Sequence, residues 1–210
     1  MRYITAKSSN EAWRKTFTSL LDSKLETDNN KYFRDEVVLI KIAEPELEEL
    51  YTLFPMDKHE IEVINKYITS GENENSVSHE WTKLYYHRAF DNPNSQIEFL
   101  IDKLLQPEPV GECQISMWDK NIDQKSKISP CTQILWARIK HNKLEWHTHA
   151  HSSDAYKKLL MNLQEFIALQ HYVAAKINTK VGDYYHFLDS CHIHYNDREA
   201  AILLRSKLSN

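Results

Sequence analysis

Cys131 is the residue best suited to nucleophilic chemistry. It lies in the segment SPCTQ, behind a proline and directly before a predicted strand. A small cysteine in a strand usually belongs to the core. A position at the junction of a loop and a strand favours partial exposure instead, and a nearby imidazole could hold the thiol as a thiolate, the reactive form of the nucleophile. These residue types alone leave both a core and a catalytic role open.

Histidines form a second group with chemical potential, since the chain has 11 of them. His147, His149 and His151 alternate in WHTHAHSSD, so an extended backbone would place all three on one face. Such a set could hold a first-row metal, completed by His192 and His194 of CHIHY. The alternative is that the histidines line a polar cleft. Because the chain has no HExxH motif and no fixed carboxylate partner, the sequence favours the cleft, and we expect no metal.

Composition excludes several classes of protein. Hydrophobic residues make up 41% of the chain and charged residues 27%, which is typical of a globular protein and not of a disordered one. The net charge of −4 lacks the basic footprint of a protein that coats nucleic acid. The 3 glycines lie far apart, which excludes the dinucleotide and P-loop phosphate motifs. We therefore expect no nucleic-acid partner.

Cysteine use and hydropathy predict where the protein works. The 3 cysteines are widely spaced without CxxC pairs, so neither a disulfide framework nor a cysteine zinc site is indicated. No apolar run approaches the ~20 residues that span a bilayer, and the N-terminus lacks an apolar signal core. We expect a cytoplasmic protein without a membrane partner.

Periodicity predicts the elements that must position these residues. In the first half, helices are predicted from Ser9 or Asn10, from Asp57 to Gly71 and from Asn94 to Leu105, with a buried strand at Val37–Ile40. In the second half, the predictions are a strand with Cys113, Ile115 and Met117 on one face, a hairpin turning at His141 and Asn142, a long helix from Asp154 to about Asn178, a strand Tyr184–Tyr195 and a helix Asp197–Leu208. Helices mixed with mostly antiparallel strands indicate the α+β class, in a single domain of residues 1–210.

The order of motifs after Cys131 is more specific than any one of them. A PC pair is followed by HSSDAY after a hairpin, by Asn162 inside the next helix, by KVGDYYH and by CHIHYN. This order resembles the C-terminal half of the thymidylate synthase family, which reads PC, RSxD, a helix-borne Asn, a PGDxxH-like turn and HIY. About half of the chain matches well and another quarter loosely, most closely the shorter, archaeal-type members. The residues in register are Cys131, Ser152, Asp154, Asn162, Gly182, His186 and His192.

The resemblance implies a fold and a reaction. It implies a thymidylate synthase-like mixed sheet with a long buried central helix, and a homodimer in which apolar residues around Trp136 and Trp146 are covered by the second copy. It also implies that the Cys131 thiolate adds to C6 of a pyrimidine, which makes C5 a nucleophile toward 5,10-methylenetetrahydrofolate. Asn162 would pair with N3–H and O4 of uracil, whereas His192 and Asp154 would place the sugar and the folate.

Departures from the family pattern bear on the substrate. His151 stands where the family has an Arg before SxD, and Gly111-Glu112 stands where it has an Arg pair. A neutral imidazole or an anionic carboxylate cannot replace the permanently charged guanidinium of Arg, which binds a phosphate in a bidentate way. His194 replaces the Tyr of HIY, and Thr132 replaces a His that follows the cysteine in many members. We therefore expect a pyrimidine nucleoside or base as ligand, in preference to a 5′-monophosphate.

Three hypotheses follow. The first is a transferase that adds a methyl or hydroxymethyl group to C5 of such a pyrimidine. The second is a non-catalytic dimeric binding protein of the same fold, and the third is a metal enzyme that uses the histidine face. For the first, Cys131 is the predicted catalytic residue, and Glu60 or Glu62 is the candidate for a folate-site glutamate. The predicted substrate-binding residues are His151, Ser152, Asp154, Asn162, His192 and His194.

Overall fold

The computed structural model describes residues 1–23, 31–91, 93, 95–107 and 113–208. Within these residues the chain forms a six-stranded sheet and seven α-helices. The strands are β1 (Arg2–Ala6), β2 (Tyr32–Ile42), β3 (Cys113–Ser116), β4 (Thr132–Lys140), β5 (Lys143–Asp154) and β6 (Lys180–His194). The helices are α1 (Ser9–Leu21), α2 (Lys58–Ser70), α3 (Glu80–Phe90), α4 (Gln96–Leu104), α5 (Lys120–Asp123), α6 (Leu159–Lys176) and α7 (Arg198–Lys207).

The sheet is mixed, with the strand order β1-β2-β6-β5-β4-β3. Strands β1 and β2 are parallel, as are β5 and β6, while the other neighbours are antiparallel. The parallel pair β5 and β6 is connected through α6, which crosses back over the sheet. The α+β class with a mixed sheet is therefore confirmed.

Helix α6 is the central element of the core. It packs against β5 and β6 on one side and against α1 and α2 on the other. Leu160, Phe166 and Leu169 are fully buried, and burial extends around most of the helix. The expected long, buried central helix is confirmed. The polar residues of α6 therefore lie beneath the edge of the sheet.

The two ends of α2 lie where the sequence places them. Asp57 is the N-cap residue and its side chain accepts hydrogen bonds from the backbone N–H groups of His59 and Glu60. Gly71 ends the helix at a φ of 69°, in the left-handed region that favours glycine. The hairpin between β4 and β5 is also confirmed, since it turns at His141 and Asn142, with φ values of 52° and 60°.

Other boundaries differ from the prediction. The long helix begins at Leu159 instead of Asp154, because Asp154 still pairs with His192 in the sheet and its carboxylate then caps the following turn. Strand β1 and helices α3 and α5 were not predicted. Strand β1 and helix α5 are too short for a clear period, whereas α3 carries apolar residues around more than one face. Asn94 and Gly111-Glu112 lie outside the described residues. No described helix has the length and hydropathy needed to cross a membrane.

The face of the sheet away from the helices is apolar, and the described residues of one copy of the chain leave it uncovered. Leu39, Trp136, His147, Tyr185 and Phe187 line a shallow cavity of about 490 Å³ on this face.

Trp146 lies on the other side of the sheet. Sequence reasoning grouped Trp146 with Trp136 as a residue that a partner must cover. This was wrong for Trp146, which is fully buried under the helices, because neighbouring residues of paired strands alternate between the two faces.

Candidate active site

A cleft of about 360 Å³ opens where the start of β4, the end of β5 and the start of α6 meet. It brings together six of the seven residues of the predicted site, although they lie in segments far apart in the chain. Its described lining residues are Lys31, Tyr32, His79, Trp81, Tyr85, Cys131, Ser152, Ser153, Asp154, Lys158, Asn162, His192 and His194.

Cys131 is half-buried in this cleft at the residue that precedes β4. Its sulfur accepts a hydrogen bond from Ser152 Oγ at 3.5 Å, and its carbonyl oxygen accepts one from the backbone N–H of His151 at 2.8 Å. The next backbone N–H, that of Thr132, donates to the Tyr85 hydroxyl oxygen at 2.9 Å. The backbone on either side of the thiol is therefore held in place while the sulfur faces the cleft.

Asn162 lies in the first turn of α6, with its side chain held on both sides. Ser153 Oγ donates to Asn162 Oδ1 at 3.2 Å, and Asn162 Nδ2 donates to Glu165 Oε2 at 3.4 Å. An amide has two donor hydrogens and two acceptor lone pairs. One donor and one acceptor therefore remain to face a ligand.

Asp154 ends β5 beside the cleft. Its Oδ1 atom accepts hydrogen bonds from the backbone N–H groups of Tyr156 at 2.8 Å and Lys157 at 3.2 Å. Burial raises the pKa of this carboxyl above its ordinary value. The side chain is thus fixed at the cleft by hydrogen bonds from the backbone.

His192 and His194 form an aromatic wall with Tyr32. The rings of Tyr32 and His192 stack at a centroid distance of 4.1 Å, and His194 meets His192 edge-on at 4.9 Å. Burial lowers the pKa of His192 to about 4, so this imidazole is neutral near pH 7. A neutral, stacked wall suits contact with a sugar or ring, and it adds no positive charge from His192.

The cations that line the cleft, within the described residues, are Lys31 and Lys158. Sequence reasoning missed both. Two other cations, Arg88 and Arg138, lie outside the cleft. Arg88 binds the Asp123 carboxylate at 2.7 Å, and Arg138 binds Glu145 at 2.6 Å.

Three predicted residues do not line the cleft. The His151 side chain is exposed, and only its backbone contacts Cys131. Glu60 accepts a hydrogen bond from Ser78. Glu62 is exposed, and its Oε1 atom lies 3.8 Å from Lys58 Nζ. A substrate-binding role for His151 stays a prediction without support from a contact in this cleft.

The histidine face does not assemble into a metal centre. His147 Nε2 lies 3.1 Å from Glu145 Oε1, and His149 Nε2 lies 2.8 Å from Asp189 Oδ2, so each ring has its own carboxylate partner. Across the described part of the chain, no group of three or more His, Cys, Asp or Glu side chains is placed to hold a metal ion.

Helix α3 and its N-cap supply three of the cleft residues that sequence reasoning missed. Trp81 and Tyr85 reach the cleft from this helix, and His79 reaches it from the N-cap position. Trp81 and Tyr85 are four residues apart, the spacing of one helix face, and this was the signal available. Burial lowers the pKa of His79 to about 4 and raises that of the Tyr85 hydroxyl well above its usual range, so both groups are neutral near pH 7.

Comparison with known proteins agrees with the motif order. Residues 49–208 match the thymidylate synthase family. The chain is 27% identical over 168 residues to a putative thymidylate synthase of Methanocaldococcus jannaschii, covering 77% of this chain and 74% of the relative. It is 26% identical over 202 residues to a putative thymidylate synthase of Methanosarcina barkeri, covering 93% and 91%. It is also 23% identical over 126 residues to the deoxyuridylate hydroxymethyltransferase of Bacillus phage SP01, covering 58% of this chain and 33% of the relative.

The family match spans most of the chain and includes Cys131, Asn162 and the other cleft residues except Lys31 and Tyr32. Two of the relatives are archaeal, as the sequence resemblance predicted. The protein therefore belongs to the thymidylate synthase family.

Proposed function

We propose that this protein transfers a one-carbon unit, as a methyl or hydroxymethyl group, to C5 of a pyrimidine through a covalent adduct with Cys131. The observation that carries the proposal is that Cys131 and Asn162 line one cleft although 31 positions separate them in the sequence. A nucleophile and a group that reads the edge of a pyrimidine are the two elements such a reaction requires.

Cys131 performs the covalent step. Its sulfur adds to C6 of the ring, and the electron pair of the C5–C6 double bond becomes available at C5 for attack on the one-carbon donor. Loss of the C5 proton and expulsion of the Cys131 sulfur then restore the double bond. The Ser152 hydroxyl that donates to the sulfur stabilises its anionic form before attack and after expulsion.

The donor in this proposal is 5,10-methylenetetrahydrofolate, which would release the methylene carbon from its ring nitrogen and, for a methyl product, would also supply the hydride that reduces it, whereas a hydroxymethyl product would take its oxygen from water. Trp81 and Asp154 line the same cleft as Cys131. An aromatic face and a backbone-anchored carboxyl suit a flat ring with amide and amino edges, so the residues present fit this group. We assign Asp154 to the folate and His192 to the sugar of the pyrimidine.

The proposed ligand is a nucleoside or base. Lys31 and Lys158 are the cations available in the described cleft, and an ammonium is a point charge without the bidentate geometry of guanidinium. His192 stays neutral near pH 7 and adds no charge. We therefore expect a 5′-phosphate to add little to binding.

Calorimetry with uridine, deoxyuridine and their 5′-monophosphates tests this proposal. We expect each nucleoside to bind at least as tightly as its monophosphate. A loss of two charged contacts, at ~1.5–3 kcal/mol each, corresponds to at least ~100-fold in affinity. A clear preference for a monophosphate that disappears in Lys158→Ala would show instead that lysines have rebuilt a phosphate site.

We also propose that the protein is a homodimer and that residues 1–210 form one domain. The support for the dimer is the apolar face of the sheet around Trp136 and Phe187, which the helices of the same chain do not cover. A second copy of this face is the simplest cover for it, since a two-fold axis pairs a surface with itself.

A further inference from the structure

Glu165 is a buried acid for which the covalent reaction has no use. It lies one turn after Asn162 on α6 and is fully buried beneath the cleft. Its hydrogen-bond partners among the described residues are Thr82 and Asn162, neither of which is a cation. A buried carboxyl without a charged partner is costly, so its place next to a ligand-reading amide calls for a role.

In each of its hydrogen bonds among the described residues, Glu165 is the acceptor. Thr82 Oγ1 donates to Glu165 Oε1 at 2.6 Å, so the single hydroxyl hydrogen of Thr82 is used. The Thr82 oxygen then accepts from Nδ1 of His79, which lies 3.0 Å away. The pKa of His79 is lowered to about 4, so this ring is neutral near pH 7, and its bond to the Thr82 oxygen requires the tautomer with the hydrogen on Nδ1. A chain of donors from the cleft wall therefore ends at the carboxylate.

The same carboxylate fixes the direction of the Asn162 amide. Glu165 Oε2 can only accept when ionised, so it selects Nδ2 of Asn162 as its neighbour, at 3.4 Å. Ser153 Oγ, on the other side at 3.2 Å from Oδ1, can donate or accept and would tolerate either direction. Glu165 is thus the partner that decides which end of the amide is nitrogen and which is oxygen.

The direction of this amide matters because uracil and cytosine present opposite patterns. Uracil offers O4 as an acceptor and N3–H as a donor, whereas cytosine offers an N4 donor and an N3 acceptor. Rotating the amide by half a turn exchanges its remaining donor and acceptor, and so exchanges the base that it matches.

We propose that Glu165 is a positioning residue whose carboxylate sets the direction of the Asn162 amide and so makes the cleft select a uracil-type edge over a cytosine-type edge. This inference rests on the proposed function, because it requires a pyrimidine beside Asn162. Glu165 acts through Asn162 and does not touch the ligand.

Protonation of Glu165 should have a measurable effect on the Asn162 side chain. Burial raises the pKa of Glu165 to about 7, and a protonated carboxyl can donate as well as accept. The other titratable groups facing it are His79, Lys158, Tyr85 and Tyr184. The pKa of His79 is about 4, and burial raises the pKa values of both tyrosines well above their usual range. A change at Asn162 centred near pH 7 is therefore assigned to Glu165.

The first measurement needs no ligand. The side-chain amide signals of Asn162, assigned by their loss in Asn162→Asp, are followed by nuclear magnetic resonance from pH 5.5 to 8.5. We expect them to shift with a midpoint near pH 7 in the unsubstituted protein and to be insensitive to pH in Glu165→Gln. Amide signals of the unsubstituted protein that do not move over this range would overturn the inference, whether or not the variant folds.

The second measurement compares the binding of deoxyuridine and deoxycytidine at pH 8. A Gln at position 165 can donate to Asn162 or accept from it, so we expect Glu165→Gln to lose at least ~10-fold of the preference for deoxyuridine. The control is Glu80→Gln, which removes the same charge from an exposed residue of α3. If Glu165→Gln prefers deoxyuridine over deoxycytidine as strongly as the unsubstituted protein does, the inference about Glu165 is overturned while the proposed function stands. Absence of binding of either nucleoside to the unsubstituted protein overturns the proposed function, and the specificity role with it.

Discussion

The three cysteines differ in their access to a reagent in solution. Cys113 and Cys191 are fully buried within strands, and burial raises the pKa of the Cys191 thiol well above its usual range. Cys131 is half-buried in the cleft, with a hydroxyl donating to its sulfur. The sequence predicted that a nearby imidazole, or more generally His151 or its neighbours, would stabilise the thiolate, and in the structure the contact with the sulfur comes from the neighbouring Ser152.

We predict that iodoacetamide labels Cys131 at least ~10-fold faster than either other cysteine at pH 7.5, because a thiolate must be both formed and reached. Peptide mass spectrometry of partly labelled protein measures the three rates. Ser152→Ala should slow the labelling of Cys131 and leave the other two unchanged. Equal rates for all three thiols would remove the nucleophile from the proposal.

At the scale of single residues, the sequence predicts those parts of the site that lie in ordered motifs. Cys131, Ser152, Asp154, Asn162, His192 and His194 all line the cleft as the motif order predicted. Glu165 and Tyr85 could not be found in this way. Their roles come from contacts between residues far apart in the chain. Glu165, for example, contacts Thr82, which lies 83 positions before it, and no local pattern encodes such a contact.

At the scale of elements, the hairpin of β4 and β5 positions the two ends of the cleft. Cys131 precedes β4, and Ser152 and Asp154 lie at the end of β5, so the strand register places them together. The turn that fixes this register has positive φ at both His141 and Asn142, which costs free energy for residues other than glycine or asparagine.

We predict that His141→Asn combined with Asn142→Gly stabilises the protein, because this pair is the preferred one for such a turn. The expected gain is ~0.5–1 kcal/mol, which corresponds to a rise in Tm of about 1–4 °C for a chain of this size. Differential scanning calorimetry measures it. A lower Tm would indicate that His141 makes a contact that outweighs the backbone strain.

The start of α6 shows where element boundaries resist prediction. Asp154 is a favourable N-cap residue, and the sequence therefore predicted a helix beginning there. The carboxylate does cap backbone N–H groups, those of Tyr156 and Lys157, but it caps a turn. The strand pairing of Asp154 with His192 takes priority over local helix propensity, and the helix begins at Leu159.

At the scale of the whole molecule, helices cover one face of the sheet, and the part of the chain that the structure describes leaves the other face open. Helix α6 covers β5 and β6, whereas Trp136, Tyr185 and Phe187 on the opposite face are only half-buried. An apolar face of this kind favours association in water.

We predict that light scattering at micromolar concentration gives twice the 24.8 kDa mass of one chain. Phe187→Asp should yield a folded monomer with unchanged circular dichroism, because a charge would be buried at the paired sheets. Phe99→Asp, which makes the same change at an exposed position of α4, should remain a dimer. A monomeric unsubstituted protein would contradict pairing through this face.

The central claim is that Cys131 mediates one-carbon transfer to C5 of a pyrimidine. Its most direct test is incubation of the protein with pyrimidine bases, nucleosides and nucleotides plus 5,10-methylenetetrahydrofolate labelled in the one-carbon unit, followed by mass spectrometry. We predict a labelled methyl or hydroxymethyl pyrimidine, formed from a nucleoside or base, and no product with Cys131→Ser. Absence of labelled product from every pyrimidine, or equal product from Cys131→Ser, would contradict the account.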